Sequence, residues 1–292
     1  MPAINDALRM AAAQLQAAGV SQARLDARLL FSAATGLSHE DIIRNPNAEL
    51  PAVQAAVYAM MIARRVAREP VSRILGRREF WSLDFEITPD TLDPRPDSET
   101  LISAALGLIE DRNHPLRIVD IGTGSGCLLL ALLSEYPRAQ GVGVDISQGA
   151  LEVARRNAGR LGFSGRARFM ACDVRDTGWT AQLGGPFDIV ISNPPYIEND
   201  AIADLDPEVA LFDPYSALAG GEDGLDFYRM ITNSLAHLLN PGGLAIFEAG
   251  AGQAQAIEKL MRQAGFIVLE PGHDLGGVAR AVTVRMKGQS CE

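Results

Sequence analysis

The segment RIVDIGTGSG, residues 117–126, constrains the fold more than any other part of the chain. An apolar stretch that predicts a β-strand runs into a glycine-rich turn, and a second apolar stretch that predicts a helix follows it. Glycine lets the backbone turn tightly and approach a ligand, and the N-terminus of a helix offers free amide donors. We therefore predict a strand–turn–helix unit whose ligand-binding turn comprises Gly122, Thr123, Gly124, Ser125 and Gly126.

Predicted strands and helices alternate from this segment onward. The strands are predicted at residues 117–121, 141–145, 167–171, 187–192, 243–248 and 266–270. The helices between them are predicted to begin near Gly126, Ser147, Asp223 and Gln253. The alternation is typical of an α/β fold with a doubly wound parallel sheet, to which residues 278–286 could add an antiparallel edge strand.

Two acidic residues follow neighbouring strands of this sheet. Asp145 ends the second strand, where a carboxylate can accept hydrogen bonds from both hydroxyls of a ribose. Asp173 follows the third strand and could accept from the exocyclic amine of adenine. A dinucleotide fingerprint would place its third glycine at the position of Cys127. These residues leave two candidate cofactors, a nicotinamide dinucleotide and S-adenosylmethionine.

The tetrapeptide Asn193-Pro194-Pro195-Tyr196 follows the strand 187–192 and so lies at the carboxyl edge of the sheet. Consecutive prolines stiffen the backbone and remove two amide donors, which leaves carbonyls free to accept. The side-chain oxygen of Asn193 and the carbonyl of Pro194 can accept both hydrogens of an NH2 group, and Tyr196 can pack against the planar group that carries it. This grip directs the nitrogen lone pair at a methyl donor. The tetrapeptide predicts methyl transfer to adenine, cytosine or glutamine.

The N-terminal part of the chain has a different pattern. Residues 1–76 predict a small helical bundle, which we expect to recognise the substrate. Residues 77–96 predict a β-hairpin linker, and residues 97–292 a catalytic domain. A group of arginines near the end of the bundle is either a solvated helix face or a docking patch for a macromolecular partner. Its members are Arg64, Arg65, Arg68, Arg73, Arg77 and Arg78.

Charge and composition exclude several classes of protein. Residues 86–292 carry 16 basic and 28 acidic residues, and a body this acidic disfavours stable nucleic-acid binding. Cys127, Cys172 and Cys291 are few and far apart, which excludes a disulfide framework and provides no zinc spacing. The N-terminus lacks the pattern of a secretory signal, and the apolar runs are too short to cross a bilayer. We expect a cytoplasmic protein without a metal or a membrane partner.

The chain resembles class I S-adenosylmethionine-dependent methyltransferases in its glycine-rich turn and Asp145, and more narrowly the HemK/PrmC family of release-factor glutamine methyltransferases. The narrower resemblance rests on Asn193 to Tyr196, on Pro94-Arg95-Pro96-Asp97-Ser98-Glu99, on residues 211–231, and on FEAGAGQ and HDLGGVAR. Asp97 and Ser98 stand where Glu and Thr are usual, and Tyr215 stands where Arg is common. The resemblance covers nearly the full length and includes the N-terminal helical bundle.

The resemblance implies an activity and a set of site residues. The family methylates the side-chain amide nitrogen of the glutamine in the Gly-Gly-Gln motif of bacterial peptide-chain release factors, and S-adenosylmethionine becomes S-adenosylhomocysteine. Residues 122–126, Asp145, Asp173, Val174 and Asn193 would bind the cofactor, and residues 193–196 would hold the glutamine. An aromatic residue is common at the position of Val174, so Trp179 is a second candidate for the adenine contact.

Two other functions remain open on the sequence. The same tetrapeptide would suit an amino-methyltransferase that acts on adenine in nucleic acid. A non-catalytic module that senses the cofactor and binds a partner through the helical bundle is a third possibility, although a sensor has no need for an NH2 clamp.

Overall fold

The computed structural model describes residues 2–287, so Cys291 lies outside the described residues. The helices are α1 (Ile4–Ala17), α2 (Ala23–Thr35), α3 (His39–Arg44), α4 (Ala52–Val66), α5 (Val71–Leu75), α6 (Glu99–Leu108), α7 (Cys127–Glu135), α8 (Gln148–Arg160), α9 (Pro207–Ala210), α10 (Asp226–Leu238) and α11 (Ala254–Gln263). The strands are β1 (Arg77–Phe80), β2 (Leu83–Glu86), β3 (Arg117–Ile121), β4 (Gln140–Asp145), β5 (Ala167–Ala171), β6 (Phe187–Ser192), β7 (Leu239–Glu248), β8 (Ile267–Val268), β9 (Gly272–His273) and β10 (Ala279–Arg285).

The chain divides into two compact units, and the division is not a single cut along the sequence. The first unit consists of the chain up to Arg77 together with the distant segment Asp206–Phe212. The second unit consists of Arg78–Leu205 and the chain from Asp213 onward. The predicted boundaries gave no sign that residues 206–212, which contain α9, fold with the N-terminal helices.

The first unit is a helical bundle with its own apolar core. Leu30 and Phe31 of α2 are completely buried, and the Phe31 ring meets the Tyr58 ring of α4 edge to face with 5.1 Å between centroids. The Tyr58 hydroxyl donates to the Ala27 carbonyl over 3.0 Å, so this buried polar group is satisfied. Gly36 ends α2 in the left-handed conformation with φ of 75°.

A buried ion network ties the segment 206–212 into this bundle. Arg65, whose side chain is 8% exposed, donates to Asp26 over 2.8 Å and to Glu208 over 3.0 Å. Arg68 donates to both carboxylate oxygens of Glu208, over 2.8 and 2.5 Å. A bidentate arginine pair with little solvent access is a strong and directional contact.

The docking patch proposed for the arginine cluster is therefore corrected at these positions. Arg64 pairs with Glu69 over 2.5 Å, and Arg65 and Arg68 are bound by Glu208. The sequence pattern could not show this pairing because Glu208 lies about 140 residues away along the chain. Arg65 and Arg68 stabilise the helical unit internally, whereas Arg64 pairs with Glu69 at the surface, where its side chain is 48% exposed.

The second unit contains a sheet with strand order β5-β4-β3-β6-β7-β10-β8, and β9 pairs with β10. The strands from β5 to β7 pair in parallel, which confirms the predicted doubly wound sheet. The chain proceeds outward from β3 through β4 and β5, and then returns to the other side of β3 with β6. The boundary between β3 and β6 is thus the topological switch point, where ligands of such sheets bind.

Residues 279–285 form the predicted antiparallel strand, but the edge position was wrong. β10 lies between β7 and β8, antiparallel to both. Ala281, Val282, Thr283 and Val284 are all buried, so both faces of this strand are covered. The alternation of apolar and polar residues in the sequence predicts one solvent-exposed face. Thr283 belongs to the polar set, yet it is buried.

The backbone that follows β6 is braced by the loop at residues 218–220 and by Gln253. The Ile197 amide donates to the Leu218 carbonyl over 3.0 Å, and the Gly220 amide donates back to the Ile197 carbonyl over 2.8 Å. The Gln253 side chain adds a hydrogen bond to the Tyr196 carbonyl over 2.9 Å. A Cβ on Gly220 would lie 2.7 Å from the Tyr196 Cα, so this contact admits glycine alone.

The ion network of the helical unit predicts the effect of Glu208→Gln. This change leaves Arg68 without its bidentate counter-charge and Arg65 with Asp26 alone, and should cost about 2 kcal/mol of stability at neutral pH. Burial raises the pKa of Glu208, but the hydrogen bonds from Arg68 and Arg65 outweigh it and hold the pKa below its ordinary value. The stabilisation is therefore complete above the unfolded pKa and declines as the pH falls through the folded one.

Hydrogen exchange of α4 and of residues 206–212 at pH 7 and pH 4 measures this effect. Asp6→Asn is the matched control, because the Arg9–Asp6 pair is 77% and 54% exposed and should contribute almost nothing. Equal protection of wild type and Glu208→Gln at neutral pH would contradict the assignment.

The bracing loop predicts that Gly220→Ala destabilises the second unit by about 1–3 kcal/mol, because the added methyl group meets backbone atoms that cannot rotate away. Thermal unfolding monitored by circular dichroism measures the change. Gly107→Ala is the control, since no atom lies within 4 Å of its added Cβ and alanine is the better helix former. A Gly220→Ala melting temperature equal to that of the control would refute the close contact.

Candidate functional site

A cavity of about 500 Å³ lies at the carboxyl edge of the sheet, over the switch point. It brings together residues from the ends of four parallel strands, as the sequence predicted for such an edge. Among the predicted site residues, the following line it: Gly122, Thr123, Gly124, Ser125, Asp145, Asp173, Val174, Asn193, Pro194 and Pro195.

The glycine-rich turn after β3 has the geometry that its sequence requires. Gly122, Gly124 and Gly126 have φ angles of 73°, 54° and 83°, all in the left-handed region that disfavours other residues. The amides of Gly122 and Thr123 donate to the Val144 carbonyl over 2.8 and 2.9 Å, which ties the turn to the neighbouring strand. Gly126 lies behind the cavity wall, where an added Cβ would be 3.3 Å from Ala154.

Asp120 supports this turn from within the core. The Thr123 hydroxyl donates to its Oδ2 over 2.6 Å, and its Oδ1 is buried without a hydrogen-bond partner. Complete burial raises the pKa of Asp120 to about 7, and the nearby Asp145 charge adds to the rise. Asp120 itself does not line the cavity, so we assign it to the support of the turn.

Asp145 is held at the cavity wall by two backbone amides. Gly124 donates to its Oδ2 and Ser147 to its Oδ1, each over 2.9 Å. Burial raises the pKa of Asp145, and these hydrogen bonds oppose the rise. Each carboxylate oxygen has a further lone pair, so the side chain can still accept two hydrogen bonds from a diol.

The structure separates the residues that were candidates for an adenine contact. Val174 lines the cavity, whereas Trp179 is buried in the apolar core and donates its indole N–H to Ser234 over 3.1 Å. Asp173 lines the cavity too, but Arg175 pairs with both of its oxygens at 2.7 to 3.0 Å. The hydrogen bond from Arg175 lowers the pKa of Asp173, which stays an ionised acceptor at neutral pH.

The tetrapeptide after β6 contacts both the cavity and the apolar core. Asn193, Pro194 and Pro195 line the cavity. Tyr196 does not: its hydroxyl lies 3.4 Å from Glu248 Oε1, and its ring packs against the apolar core. Burial chiefly raises the pKa of Tyr196, so the phenol stays protonated. These contacts brace the loop, and the packing of Tyr196 against a substrate stays a prediction.

The structure adds Ser98 and Glu248, to which the sequence reasoning gave no role. Ser98 precedes α6 and lines the cavity, and its hydroxyl donates to the carboxylate of Glu248 at the end of β7. Burial raises the pKa of Glu248 to about 7. The signal that could have found Glu248 is the one that marked Asp145, an acid that ends a buried parallel strand.

Arg95 and Tyr215 form part of the outer wall. Arg95 pairs with Asp213, and both Arg95 and Tyr215 line the cavity. The Tyr215 side chain is 62% exposed, so it forms the rim and carries no charge for recognition. Within residues 2–287 no group of three or more His, Cys, Asp or Glu side chains is arranged to hold a metal ion. In that same part of the chain, no helix combines the length and the apolar character that crossing a membrane requires.

Comparisons with known proteins agree with this arrangement. Residues 6–76 match the family model described as the PrmC N-terminal domain, and residues 113–269 match a methyltransferase domain. The release factor glutamine methyltransferase of Bradyrhizobium diazoefficiens is 47% identical over 285 residues, which cover 97% of this chain and 94% of that protein. The protein of the same name from Rhodospirillum rubrum is 46% identical over 94% of this chain and 82% of its own.

A solved structure shows the same fold at low sequence identity. The methyltransferase from Pyrococcus furiosus superimposes with a TM-score of 0.51 at 18% identity, over 78% of this chain and 98% of that one. With the methyltransferase-domain match over residues 113–269 and the observed sheet, the fold class is that of the class I methyltransferases, as predicted. The two relatives match this chain over 97% and 94% of its length, and with the PrmC N-terminal domain they show that the chain belongs to the release factor glutamine methyltransferase family.

Proposed function

We propose that the enzyme transfers a methyl group from S-adenosylmethionine to the side-chain amide nitrogen of the glutamine in the Gly-Gly-Gln motif of bacterial peptide-chain release factors. The products are S-adenosylhomocysteine, the N-methylated glutamine and one proton, which passes to solvent. The observation that carries the proposal is that one cavity is lined both by Asn193 and Pro194 and by the glycine-rich turn and Asp145. The names of the relatives support the substrate.

The residues of the cavity fit the proposed cofactor. Asp145 retains lone pairs for both ribose hydroxyls while two backbone amides hold its carboxylate in place. The left-handed glycines at 122 and 124 let the backbone approach the ligand closely, and Val174 offers an apolar surface near Asp173. When bound, S-adenosylmethionine supplies an electrophilic methyl group on a sulfonium.

The chain's own contribution to catalysis is positioning and electrostatics. An amide nitrogen is a poor nucleophile, because its lone pair is delocalised into the carbonyl group. Acceptors at Asn193 Oδ1 and the Pro194 carbonyl would hold both N–H bonds and turn the lone pair toward the methyl group. Asp120 and Glu248, the buried carboxyls with raised pKa, lie behind the cavity wall, so neither reaches the nitrogen as a base. Aligned reactants alone can supply roughly 7–11 kcal/mol.

The helical unit is our candidate for recognition of the release factor. Its arginines at 64, 65 and 68 are paired internally, so recognition would use other surfaces. Exposed apolar side chains occur on α2 and α4 at Leu25, Leu29, Val53 and Met60. Exposed apolar side chains of this size can take part in binding another protein when they form a contiguous patch.

The first prediction from this proposal concerns the product. After incubation with the enzyme and S-adenosylmethionine, a bacterial release factor should gain the mass of one CH2 group, and peptide mapping should place it on the Gly-Gly-Gln glutamine. Duplex DNA under the same conditions should gain none, because the acidic second unit repels phosphates. Methylated DNA beside an unmodified release factor would favour the adenine alternative.

The second prediction distinguishes the role of Asn193 in substrate binding from the role of Asp145 in cofactor binding. Asn193→Ala should lower kcat by roughly 10²–10³-fold, since it removes one of two acceptors that act on the reacting nitrogen. Its affinity for S-adenosylmethionine should stay close to that of the wild type. Asp145→Ala should instead weaken cofactor binding first, because it removes the acceptor of the ribose hydroxyls. Isothermal titration with the cofactor and single-turnover rates measure both effects, and near-normal turnover in Asn193→Ala would reject the mechanism.

A further inference from the structure

A chain of hydrogen bonds connects both ends of the catalytic tetrapeptide to one buried carboxylate. Asn193 Nδ2 lies 3.5 Å from Ser98 Oγ, and Ser98 Oγ donates to Glu248 Oε2. The Tyr196 hydroxyl lies 3.4 Å from the other oxygen, Glu248 Oε1. Ser98 and Glu248 are 3% and 1% exposed, so water has little access to the hydrogen bond between them.

The charge of Glu248 determines the direction of every donor in this chain. A carboxylate only accepts hydrogen bonds, so both the Ser98 and the Tyr196 hydroxyl protons must point at it. Ser98 Oγ then has only lone pairs left for Asn193, and the amide group must present its Nδ2 to Ser98. Asn193 Oδ1 is consequently the atom that remains for the cavity.

The alternative direction would disable the site. If the Ser98 hydroxyl donated to Asn193, the amide would turn its oxygen to Ser98 and its NH2 to the cavity. A side chain that presents N–H donors cannot accept the hydrogens of a substrate NH2 group. The two amide orientations have nearly the same shape, so packing alone discriminates poorly between them.

We propose that Glu248 is a positioning residue that acts through Ser98: it holds the side-chain amide of Asn193 in the orientation in which Oδ1 accepts from the substrate. The proposal rests on the function proposed above, in which Asn193 binds the substrate NH2 group. It adds to that function a group that touches neither substrate nor cofactor, since Glu248 does not line the cavity.

The surroundings of Glu248 make its charge sensitive to pH near neutrality. Burial raises its pKa to about 7, while the Ser98 hydrogen bond and the Arg280 charge oppose the rise and the Asp97 charge adds to it. Arg280 is itself paired with Asp97 and Asp274, each over 3.0 Å. Tyr196, Tyr228 and Cys127 face the same carboxylate and stay protonated, because burial raises the pKa of each. Below pH 7 a protonated Glu248 can donate to Ser98, and the carboxyl group then no longer determines the direction of the hydrogen bond between Ser98 and Asn193.

The test compares wild type with Glu248→Gln, an isosteric change that removes the charge. We expect kcat to fall by roughly 10- to 100-fold, as for a misoriented catalytic group. The KM for the release factor and the affinity for S-adenosylmethionine should change little. The wild-type kcat should rise with pH through about 7, and this rise should be absent in the variant.

A second pair of variants tests the connection through Ser98. Ser98→Thr keeps the hydroxyl and should retain activity, whereas Ser98→Ala should lose it. Glu248→Gln added to Ser98→Ala should cause little further loss, because the two residues act in series. If Glu248→Gln fails to bind the cofactor, the Thr and Ala variants at Ser98 decide the question alone. Thr283→Val is the matched control, since Thr283 is buried on the paired strand β10 with an unpartnered hydroxyl oxygen.

The outcomes separate this inference from the proposed function. A wild-type enzyme that leaves the release factor unmodified would overturn the proposed function itself. A wild-type enzyme that methylates it, beside a Glu248→Gln variant with unchanged kcat and an unchanged pH profile, would overturn the role of Glu248 alone. Fully additive losses from Ser98→Ala and Glu248→Gln would also overturn it.

Discussion

The parallel pairing of β3 with β6 is the constraint on which the site depends. The register places Ile121 beside Ser192, so the next residues of both strands leave the sheet at the same height. One strand continues into the glycine-rich turn and the other into the tetrapeptide at 193–196. Because the strand order reverses here, the helices that follow them pack on opposite faces and leave a crevice between. A methyl donor and an NH2 acceptor can thus meet without any long loop to bring them together.

The second physical constraint on the unit that contains the sheet is the burial of carboxylates. Asp120, Asp145 and Glu248 each end or nearly end a strand, and desolvation raises the pKa of all three. Their surroundings give them different tasks. Asp145 faces the cavity with backbone amides behind it, Asp120 supports the turn, and Glu248 contacts side chains of the tetrapeptide network. Acidic residues at similar positions in neighbouring strands therefore differ in surroundings: one faces the cavity, and the other two support the structure from within.

The helical unit shows how distant sequence can complete a fold. The segment 206–212 lies in the chain after the tetrapeptide, yet Glu208 supplies the anion that Arg65 and Arg68 require. The buried face of α4 consists of Tyr58, Ile62 and Arg65, so the last buried position of this helix holds an arginine. Periodicity alone assigns such a residue to solvent, because it contains no information about a partner over a hundred residues away.

The sequence alone determined the order of strands and helices, the glycine-rich turn, the acid at Asp145 and the tetrapeptide, because each depends on local backbone preference or on a spacing of a few residues. It also indicated the family through these motifs. Only the tertiary structure decided that β10 lies inside the sheet, that Tyr196 contacts Glu248, and that Glu208 binds the arginines. It also brought Ser98 and Glu248 together, 150 residues apart. These features depend on burial and on contacts between distant segments, and desolvation acts on a side chain only after the chain has enclosed it.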